Sequence, residues 1–478
     1  MLRNLENRFA EVPNVDIPRS IFDMSHEHLT SCNVSELIPI FRLSVMPGDT
    51  VNLKTSIVAR LQTLLTPMMG NLYGDIFYFY EPYRVVWPHW KGFVGENLNG
   101  PWANQTQYIP PKIQSPSGGW NKGTIADYLG IPPGVEFKPV ASGGDGLMPL
   151  ALDFRIYADI CENWFRDQNV TDHVNVPTGD SNQQGSNGSN YITDTCNGGA
   201  PFKVSKFHDY FTSCLPDPQK NRNPVTFPLI SGQEAPVYAG NDHTHSHWYL
   251  RMKNYDDSAY NAAPKYMATS RTSDSSIAGV YESTGTATIG TQPMYPNNLW
   301  ADLRDTVGSV TVNQLRLAFQ MQKFYEQQAR SGSRYREIIK GMFSTTVPDG
   351  RVQIPEYLGG SRFPVSVHQV VNSSESSSAS LGDLGAMSNT SHVEDSFIKS
   401  FTEWGTVLGV MCFRYDHVYS QGLHRDFTRD DYFSWYWPVL ANIGEQPVYK
   451  YEIDATVRSG ENRLDVFGFN EARSCYSS

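Results

Sequence analysis

The sequence lacks a long apolar run and any close pair of cysteines, and both absences limit what the protein can be. No stretch of about 18 apolar residues occurs, so we expect no membrane-spanning helix. The first residues hold no apolar segment of the kind found in signal peptides, and we expect none. The six cysteines are spread along 478 residues without a C-x-x-C pair, which favours free thiols in a reducing compartment.

Common catalytic motifs are missing too, and positive charge is in short supply. The sequence contains no G-x-S-x-G, P-loop, G-x-G-x-x-G or H-E-x-x-H pattern, so it offers no catalytic residue and no cofactor site. Lys and Arg number 38 against 49 Asp and Glu, which gives a formal net charge of −11. Any contact with nucleic acid must then be a local patch, which excludes a histone-like role.

What is present points to a β-rich protein with long loops. Aromatic residues make up 13% of the chain, alongside 38 Gly and 30 Pro, a combination that favours strands and turns over a helical bundle. Hydrophobic residues reach 40%, enough for a large core. Charged residues, at 18%, are too few for a disordered chain.

Several strands can be predicted from the pattern of apolar residues. Val51, Leu53 and Ile57 alternate with polar side chains, which predicts a strand with one buried face. The continuous apolar run at 76–80 predicts a strand buried on both faces. We expect further strands at 365–371, 406–415 and 432–437.

Two segments are predicted to be helical. A four-residue apolar repeat forms one stripe, typical of an amphipathic helix, at Leu152, Ile156, Ile160 and Trp164. A second helix should begin at Thr311, which has capping-box spacing to Gln314. The pair Ser331-Gly332 should interrupt it before a further turn or two at 335–340.

Three segments are poor in residues that form a core. We expect 178–200 and 373–391, which are rich in Asn, Ser and Gly, to be flexible loops. Residues 221–297 have little periodicity and should form a large insertion. Because no clear linker divides the chain, we predict a single domain over 1–478 with enlarged loops.

Three histidines alternate at His243, His245 and His247. In an extended backbone their imidazoles would lie on one face, about 6.5–7 Å apart, where they could share a metal ion. The alternative is an exposed polar loop, and no Cys or second His cluster completes a ligand set. We therefore predict no metal site, with these three residues as the candidates if one exists.

An aromatic cluster, Tyr83, Trp87 and Trp90, is interleaved with Arg84 and Lys91. Such a cluster suits the stacking of single-stranded nucleic acid. It equally suits packing or a contact between subunits, because Trp, Tyr and Arg are also enriched at interfaces. Together with Trp164, the three aromatic residues are our candidates for a subunit interface.

Short motifs along almost the whole chain resemble those of one protein family. In order, they are VPNVDIPRS at 12–20, LIPI at 37–40, PGDT at 47–50, WFRDQN at 164–169, DYFTS at 209–213, NLWADL at 298–303, NQLR at 313–316, PEYLGG at 355–360, RYDH at 414–417, GEQ at 444–446 and VFG at 466–468. The series resembles the major capsid proteins of the Microviridae, small bacteriophages with circular single-stranded DNA, and most of all their gokushovirus-like branch.

The resemblance implies a mainly β fold, an eight-stranded viral jelly-roll β-barrel with long loop and helical insertions. It implies a non-enzymatic protein that assembles with itself into a T=1 icosahedral shell around the DNA and presents a surface for host recognition. The segment 221–297 would then be a surface protrusion at the threefold axis. Further implied partners are a small basic DNA-packaging protein, a pilot or spike-type minor protein and a receptor on the host cell.

The resemblance also implies a location in the virion, after assembly in the bacterial cytoplasm. A different function stays open on the residues alone. A β-sandwich carbohydrate-binding module or glycoside hydrolase would also be rich in aromatic residues and loops.

Overall fold

The computed structural model describes residues 18–62, 69–96, 106–221, 223, 225, 237–239, 252–254, 266–271, 278–285, 288–296, 299–301, 311–371, 373, 384–440, 444–456 and 462–471. The fold is mainly β, with antiparallel sheets. The chain divides into two compact units, Met1–Pro218 with Gln328–Ser478, and Gln219–Gln327.

Within the described residues the strands are β1 (Glu36–Val45), β2 (Thr50–Ala59), β3 (Leu72–Pro82), β4 (Ile113–Gln114), β5 (Gln183–Gln184), β6 (Phe202–Lys203), β7 (Val237–Ala239), β8 (Met252–Asn254), β9 (Tyr266–Arg271), β10 (Ala278–Gly285), β11 (Thr288–Pro296), β12 (Leu299–Ala301), β13 (Glu356–Pro364), β14 (His368–Val371), β15 (Leu384–Met387), β16 (Thr390–Ser400), β17 (Gly405–Tyr415), β18 (Glu445–Tyr449) and β19 (Val466–Glu471). The α-helices are α1 (Tyr83–Val86), α2 (Trp90–Phe93), α3 (Ile125–Tyr128), α4 (Leu152–Ile160), α5 (Val312–Ser331), α6 (Tyr335–Phe343), α7 (Asp349–Val352) and α8 (Lys450–Ile453). A π-helical turn, Cys161–Phe165, follows α4, and short 3₁₀ turns occur at Val140–Ser142, Thr195–Asn197, Arg425–Thr428, Tyr432–Ser434 and Pro438–Leu440.

The first unit is built on a five-stranded sheet of order β13-β3-β17-β1-β6. Within it, β3 and β17 pair along their full length, from Gly405 opposite Pro82 to Tyr415 opposite Leu72. Ile76, Tyr78 and Phe79 are all almost fully buried, because both faces of the sheet are covered. The strands predicted at 76–80 and 406–415 are confirmed.

One face of this sheet packs against the pair of strands β2 and β16. The pairing runs from Thr390 opposite Ala59 to Ser400 opposite Thr50. Val51, Leu53 and Ile57 pack on the buried side chains of the sheet, while Asn52, Lys54 and Ser56 between them are exposed. The alternation of the sequence thus gives one buried and one solvent face, as predicted.

The other face is covered by α4 and the long connections around it. Leu152, Ile156 and Ile160 are buried in this layer, and Trp164 packs at its edge, so the predicted helical stripe is confirmed. Tyr157 on α4 connects this layer to β1 of the sheet, because its hydroxyl donates to the Leu37 carbonyl oxygen at 2.6 Å.

The segment 178–200 lies in this layer. Its strand β5 pairs with β4, and Thr195 and Cys196 are buried. Of 373–391 the structure describes residue 373 and 384–391, where β15 pairs with β14. The flexibility of both segments stays a prediction.

Two strand predictions need correction. Residues 432–437 contain a 3₁₀ turn, Tyr432–Ser434, where a strand was expected. The Ser434 N–H donates to the Asp431 carbonyl oxygen at 3.0 Å and closes a tight turn that no strand could contain. The strand expected at 365–371 covers only His368–Val371, because the Ser366 N–H donates to the Thr390 side chain at 3.0 Å rather than to a neighbouring backbone.

The second unit contains a four-stranded sheet of order β8-β11-β10-β9 and the pair β7-β12. Thr311 and Gln314 form the predicted capping box: each backbone N–H donates to the other side chain, at 2.9 and 3.2 Å. The helix that follows ends at Ser331, and the chain becomes helical again at Tyr335, as predicted. In the part of the chain described above, no helix is both long and apolar enough to cross a membrane.

Candidate assembly surface

Large apolar side chains crowd one surface segment, 425–440, which we call the aromatic segment. Its most exposed members leave between 44% and 87% of their surface in solvent: Phe427, Tyr432, Phe433, Trp435, Tyr436, Trp437 and Val439. Soluble monomers rarely expose so many large apolar groups together. Such a surface marks a site of contact with another molecule.

Arg429 holds the aromatic segment in shape. Its Nε donates to Asp426 Oδ1 at 2.8 Å, and its Nη1 donates to the Ser434 carbonyl oxygen at 2.8 Å. The guanidinium also lies 5.2 Å from the ring centre of Trp435, a cation–π contact. Its side chain is only 3% exposed although the rings around it face solvent. The exposed rings therefore stand on an ordered base, which lowers the entropy lost on binding.

Hydrogen bonds also tie the segment to the body of the first unit. The Arg425 Nη1 donates to the Pro447 carbonyl oxygen at 3.0 Å, and the Thr428 hydroxyl lies 2.9 Å from that of Tyr451. Within the segment, Trp437 Nε1 donates to the Tyr432 carbonyl oxygen at 3.0 Å. These bonds fix the position of the aromatic segment on the subunit.

Sequence reasoning missed this surface because aromatic residues also favour strands. Five of the six residues at 432–437 are Trp, Tyr or Phe. A strand in a half-buried sheet would turn alternate residues inward, whereas here all five rings are at least 44% exposed. The density of aromatic residues was the available signal.

The four predicted interface residues lie in two places. Tyr83, Trp87 and Trp90 form one cluster, with ring centres 4.8 Å apart for Tyr83 and Trp90 and 6.3 Å apart for Trp87 and Trp90. Trp164 lies elsewhere, under the guanidinium of Arg336 at 4.0 Å. Trp87 is fully buried in its own chain and Tyr83 nearly so. Trp90 and Trp164 keep part of their surface in solvent.

Because Tyr83 and Trp87 are buried, their replacement would not be a clean test of an interface between subunits. Trp87 Nε1 donates to Asp180 Oδ1 at 2.6 Å, and the Tyr83 hydroxyl lies 2.9 Å from that of Thr406. Replacing either residue would disturb the core of the subunit before it disturbed any contact with a neighbour. An interface role for the four residues stays a prediction.

A second cluster combines charge with aromatic rings at one end of the five-stranded sheet. The buried Asp75 accepts from Arg362 Nε at 2.6 Å and from Arg414 Nε at 2.9 Å. Both guanidinium groups lie over the ring of Phe207, at 4.5 and 4.3 Å from its centre. We call Asp75, Phe207, Arg362 and Arg414 the arginine cluster; its net charge is positive.

Further positive charge lies close by. Lys206 is exposed beside Phe207, and Arg362 leaves 52% of its side chain in solvent. Burial, together with the nearby Lys206 ammonium, lowers the pKa of His417, so this imidazole is neutral at pH 7. Lys206 and Arg362 thus offer an anion two accessible cations next to the ring of Phe207.

The remaining candidates are the three alternating histidines and the cysteines. His243, His245 and His247 lie outside the described residues. Among those that are described, no group of three or more His, Cys, Asp or Glu is arranged to hold a metal ion. The described cysteines are free thiols, as predicted, and burial raises the pKa of Cys196 to about 11 and that of Cys412 to about 12. Both therefore stay protonated and unreactive near neutral pH.

Comparison with known proteins decides the family. The family model described as Capsid protein (F protein) matches residues 10–477. The chain belongs to this capsid protein family. Similar proteins include the capsid protein VP1 of Spiroplasma virus 4, 37% identical over 95% of this chain and 80% of the relative. The capsid proteins VP1 of Bdellovibrio phage phiMH2K and Chlamydia phage 1 are 34% and 33% identical, over 98% and 99% of this chain and 82% and 85% of theirs.

The protein is thus a structural capsid protein of the Microviridae, and not an enzyme. Membership in this family confirms the resemblance found in the sequence motifs and replaces the carbohydrate-binding alternative. It also implies that copies of the chain assemble with one another in a virion. An exposed, ordered aromatic surface is what such a subunit needs for contact with its neighbours.

Proposed function

We propose that the protein forms a T=1 icosahedral shell around a circular single-stranded DNA genome, with the aromatic segment as a main contact between subunits. The observation that carries this assignment is the aromatic segment itself, a fixed apolar surface on a member of a capsid family. Its Trp, Tyr and Arg residues are the types that dominate binding energy at protein interfaces.

The fold proposed for the subunit is an eight-stranded jelly-roll barrel. Support comes from the first unit, where the five-stranded sheet packs face to face against β2 and β16 around one core. Barrels of this kind pair or protect their strand edges, so neighbouring subunits would meet through loops and helices.

We propose the insertion 221–297 as a surface protrusion at the threefold axis that presents a host-recognition surface. Support comes from the division of the chain, because Gln219–Gln327 is a compact unit with its own sheet. A protrusion of this size is a natural site for a host receptor to bind.

The proposed partners follow from charge. A chain with a net charge of −11 cannot neutralise a genome, so a small basic packaging protein would accompany the DNA, along with a pilot or spike-type minor protein. Assembly would take place in the bacterial cytoplasm. The arginine cluster is our proposed contact with the DNA, since stacked arginines and an aromatic ring suit both phosphates and bases.

Electron cryomicroscopy of purified particles, with mass spectrometry of their polypeptides, tests the proposed assembly. We expect icosahedral particles of uniform size, a basic polypeptide in the full ones, and the aromatic segment at contacts between subunits. Particles of another symmetry, or an aromatic segment that faces solvent in the shell, would overturn the proposal.

The DNA contact can be tested with Arg362→Gln and Lys206→Gln. Each variant should weaken binding of single-stranded DNA and reduce the salt dependence of log K by about 0.7, the share of one lost phosphate contact. Fluorescence anisotropy of a labelled oligonucleotide over a series of salt concentrations measures both effects. Asp75 keeps Arg414 as its partner in the Arg362 variant, so the fold should survive.

Lys122→Gln, which removes an exposed lysine outside the arginine cluster, is the matched control. It should bind DNA with the salt dependence of the unchanged protein. If Arg362→Gln and Lys206→Gln both keep the salt dependence of the unchanged protein, as the control should, then the arginine cluster does not contact DNA.

A further inference from the structure

The core between β3 and α4 contains two carboxyl groups that face each other. Glu81 is fully buried at the end of β3, and Asp159 is partly buried near the end of α4. Neither oxygen of Glu81 accepts a hydrogen bond from any N–H or O–H group of the described residues. The group that faces it is the carboxyl of Asp159.

No described cation neutralises the two groups. Arg84, just beyond Glu81 in the chain, pairs with Glu403 and donates to the Gln353 side chain. On the π-helical turn after α4, Glu162 adds negative charge near Asp159, although it is itself paired with Arg166.

Among the described residues, the other polar neighbours leave both carboxyl oxygens of Glu81 without a donor. Thr406 lies opposite Glu81 in the sheet, but its hydroxyl donates to Asp153 Oδ1 at 2.9 Å. His173 lies beyond Glu162, which accepts from its Nδ1 at 2.7 Å. Asn163 Nδ2 donates to the backbone carbonyl oxygen of Asp159 at 3.2 Å, and its amide near the carboxyl partly offsets the rise in the pKa of Asp159.

Two ionised carboxylates in such surroundings would repel each other and lose their hydration. A proton on one of them removes a charge and supplies the missing donor. The contact is then an O–H···O hydrogen bond between a carboxylic acid and a carboxylate, and the two groups titrate as a pair.

We propose that Glu81 and Asp159 share a proton and act as a pH-sensitive latch between strand β3 and helix α4. At acidic and weakly acidic pH the proton joins the two elements. As the pH rises the proton passes to solvent, the two carboxylates repel, and the contact between the helical layer and the sheet weakens.

The direction of the effect follows from the titration of the pair. Burial raises the pKa of Glu81 well above its usual value, and raises that of Asp159 from 3.8 to about 6. The stabilisation is therefore complete below the pKa of the unfolded chain and is lost as the pH rises through the pKa of the folded one. A rise of about two units in one group makes the unfolding constant about 100-fold larger at pH 8 than at acid pH.

Thermal unfolding of the full-length chain at pH 5 and pH 8 tests the latch through Glu81→Gln. The Gln amide can donate to an ionised Asp159 at either pH, so this variant should melt above the unchanged protein at pH 8 and close to it at pH 5. Glu27→Gln, which alters an exposed carboxyl outside the helices and strands, should melt at the same temperature as the unchanged protein at both pH values. Equal pH dependence for Glu81→Gln and the unchanged protein would overturn the proposal.

A spectroscopic measurement keeps the proposal testable even if the variant does not fold. At pH 6 exposed carboxyls are ionised, so the infrared carbonyl band of a protonated carboxyl group must come from a group such as this pair. We expect the band in the unchanged protein at pH 6 and its loss by pH 8. Its absence at pH 6 would refute the latch, and neither experiment requires particles to form.

Discussion

The double substitution Phe427→Ala with Trp435→Ala should abolish particle formation while the chain still folds. Both rings project from the aromatic segment, with 80% and 56% of their surface exposed, so the subunit core loses little when they are removed. If the two rings are central to an interface, the loss of each should weaken the binding free energy of a contact between subunits by about 2 kcal/mol or more. The loss recurs at every equivalent contact in a closed shell, so a modest change in one contact becomes failure of the whole assembly.

Matched variants separate lost apolar contact from lost local order. Trp435→Phe keeps a ring beside Arg429, and Phe427→Tyr keeps the ring at the most exposed aromatic position; both should still assemble. Sedimentation and electron microscopy report particles, and circular dichroism of the unassembled chain reports folding. Wild-type particle yield from the double alanine variant, with folding intact, would remove the aromatic segment from the interface.

Local patterns in the sequence were sufficient to predict those structural features that depend on residues close together in the chain. The alternation at Val51, Leu53 and Ile57 sets the buried face of β2, because a strand turns successive side chains to opposite sides. The capping box at Thr311 depends on two residues three positions apart, so it could be recognised directly.

The aromatic segment could not be predicted in the same way. Its conformation depends on Arg429, which contacts Asp426, Ser434 and Trp435 from within a loop. Strand propensity reflects packing within a sheet, whereas Tyr432–Ser434 form a 3₁₀ turn. A pattern of residue types cannot tell an aromatic ring that packs on a sheet from one held out by a turn.

The burial of Trp87 could not be predicted from the sequence either. The residue types that make an interface also make a core, and only the fold places Trp87 inside its own subunit. The pair Glu81 and Asp159 was equally hidden, because the two residues are far apart in the chain and meet only when α4 packs on β3.

Arg155→Met should be among the most destabilising single changes in the subunit. Arg155 is fully buried on α4, and its guanidinium donates to the Val86 carbonyl oxygen at 3.2 Å, to that of Gly179 at 2.9 Å and to Gln183 Oε1 at 3.3 Å. Met fills a similar volume but leaves all three acceptors without a donor. Hydrogen bonds from charged donors contribute about 1.5–3 kcal/mol each, so we expect a loss of about 3–5 kcal/mol after relaxation.

The same substitution tests what holds the segment 178–200 in place. Two of the three acceptors, Gly179 and Gln183, belong to this segment, whose composition predicts a flexible loop. Without the guanidinium, amide hydrogen exchange at 178–184 should become faster, and the melting temperature of the unassembled chain should fall by about 5 °C. Arg351→Met, at an exposed arginine, should change neither quantity, because it removes no buried donor. Unchanged exchange at 178–184 in the Arg155 variant would mean that other contacts, such as the Asp180 hydrogen bonds to Trp87 and His89, are sufficient to order the segment.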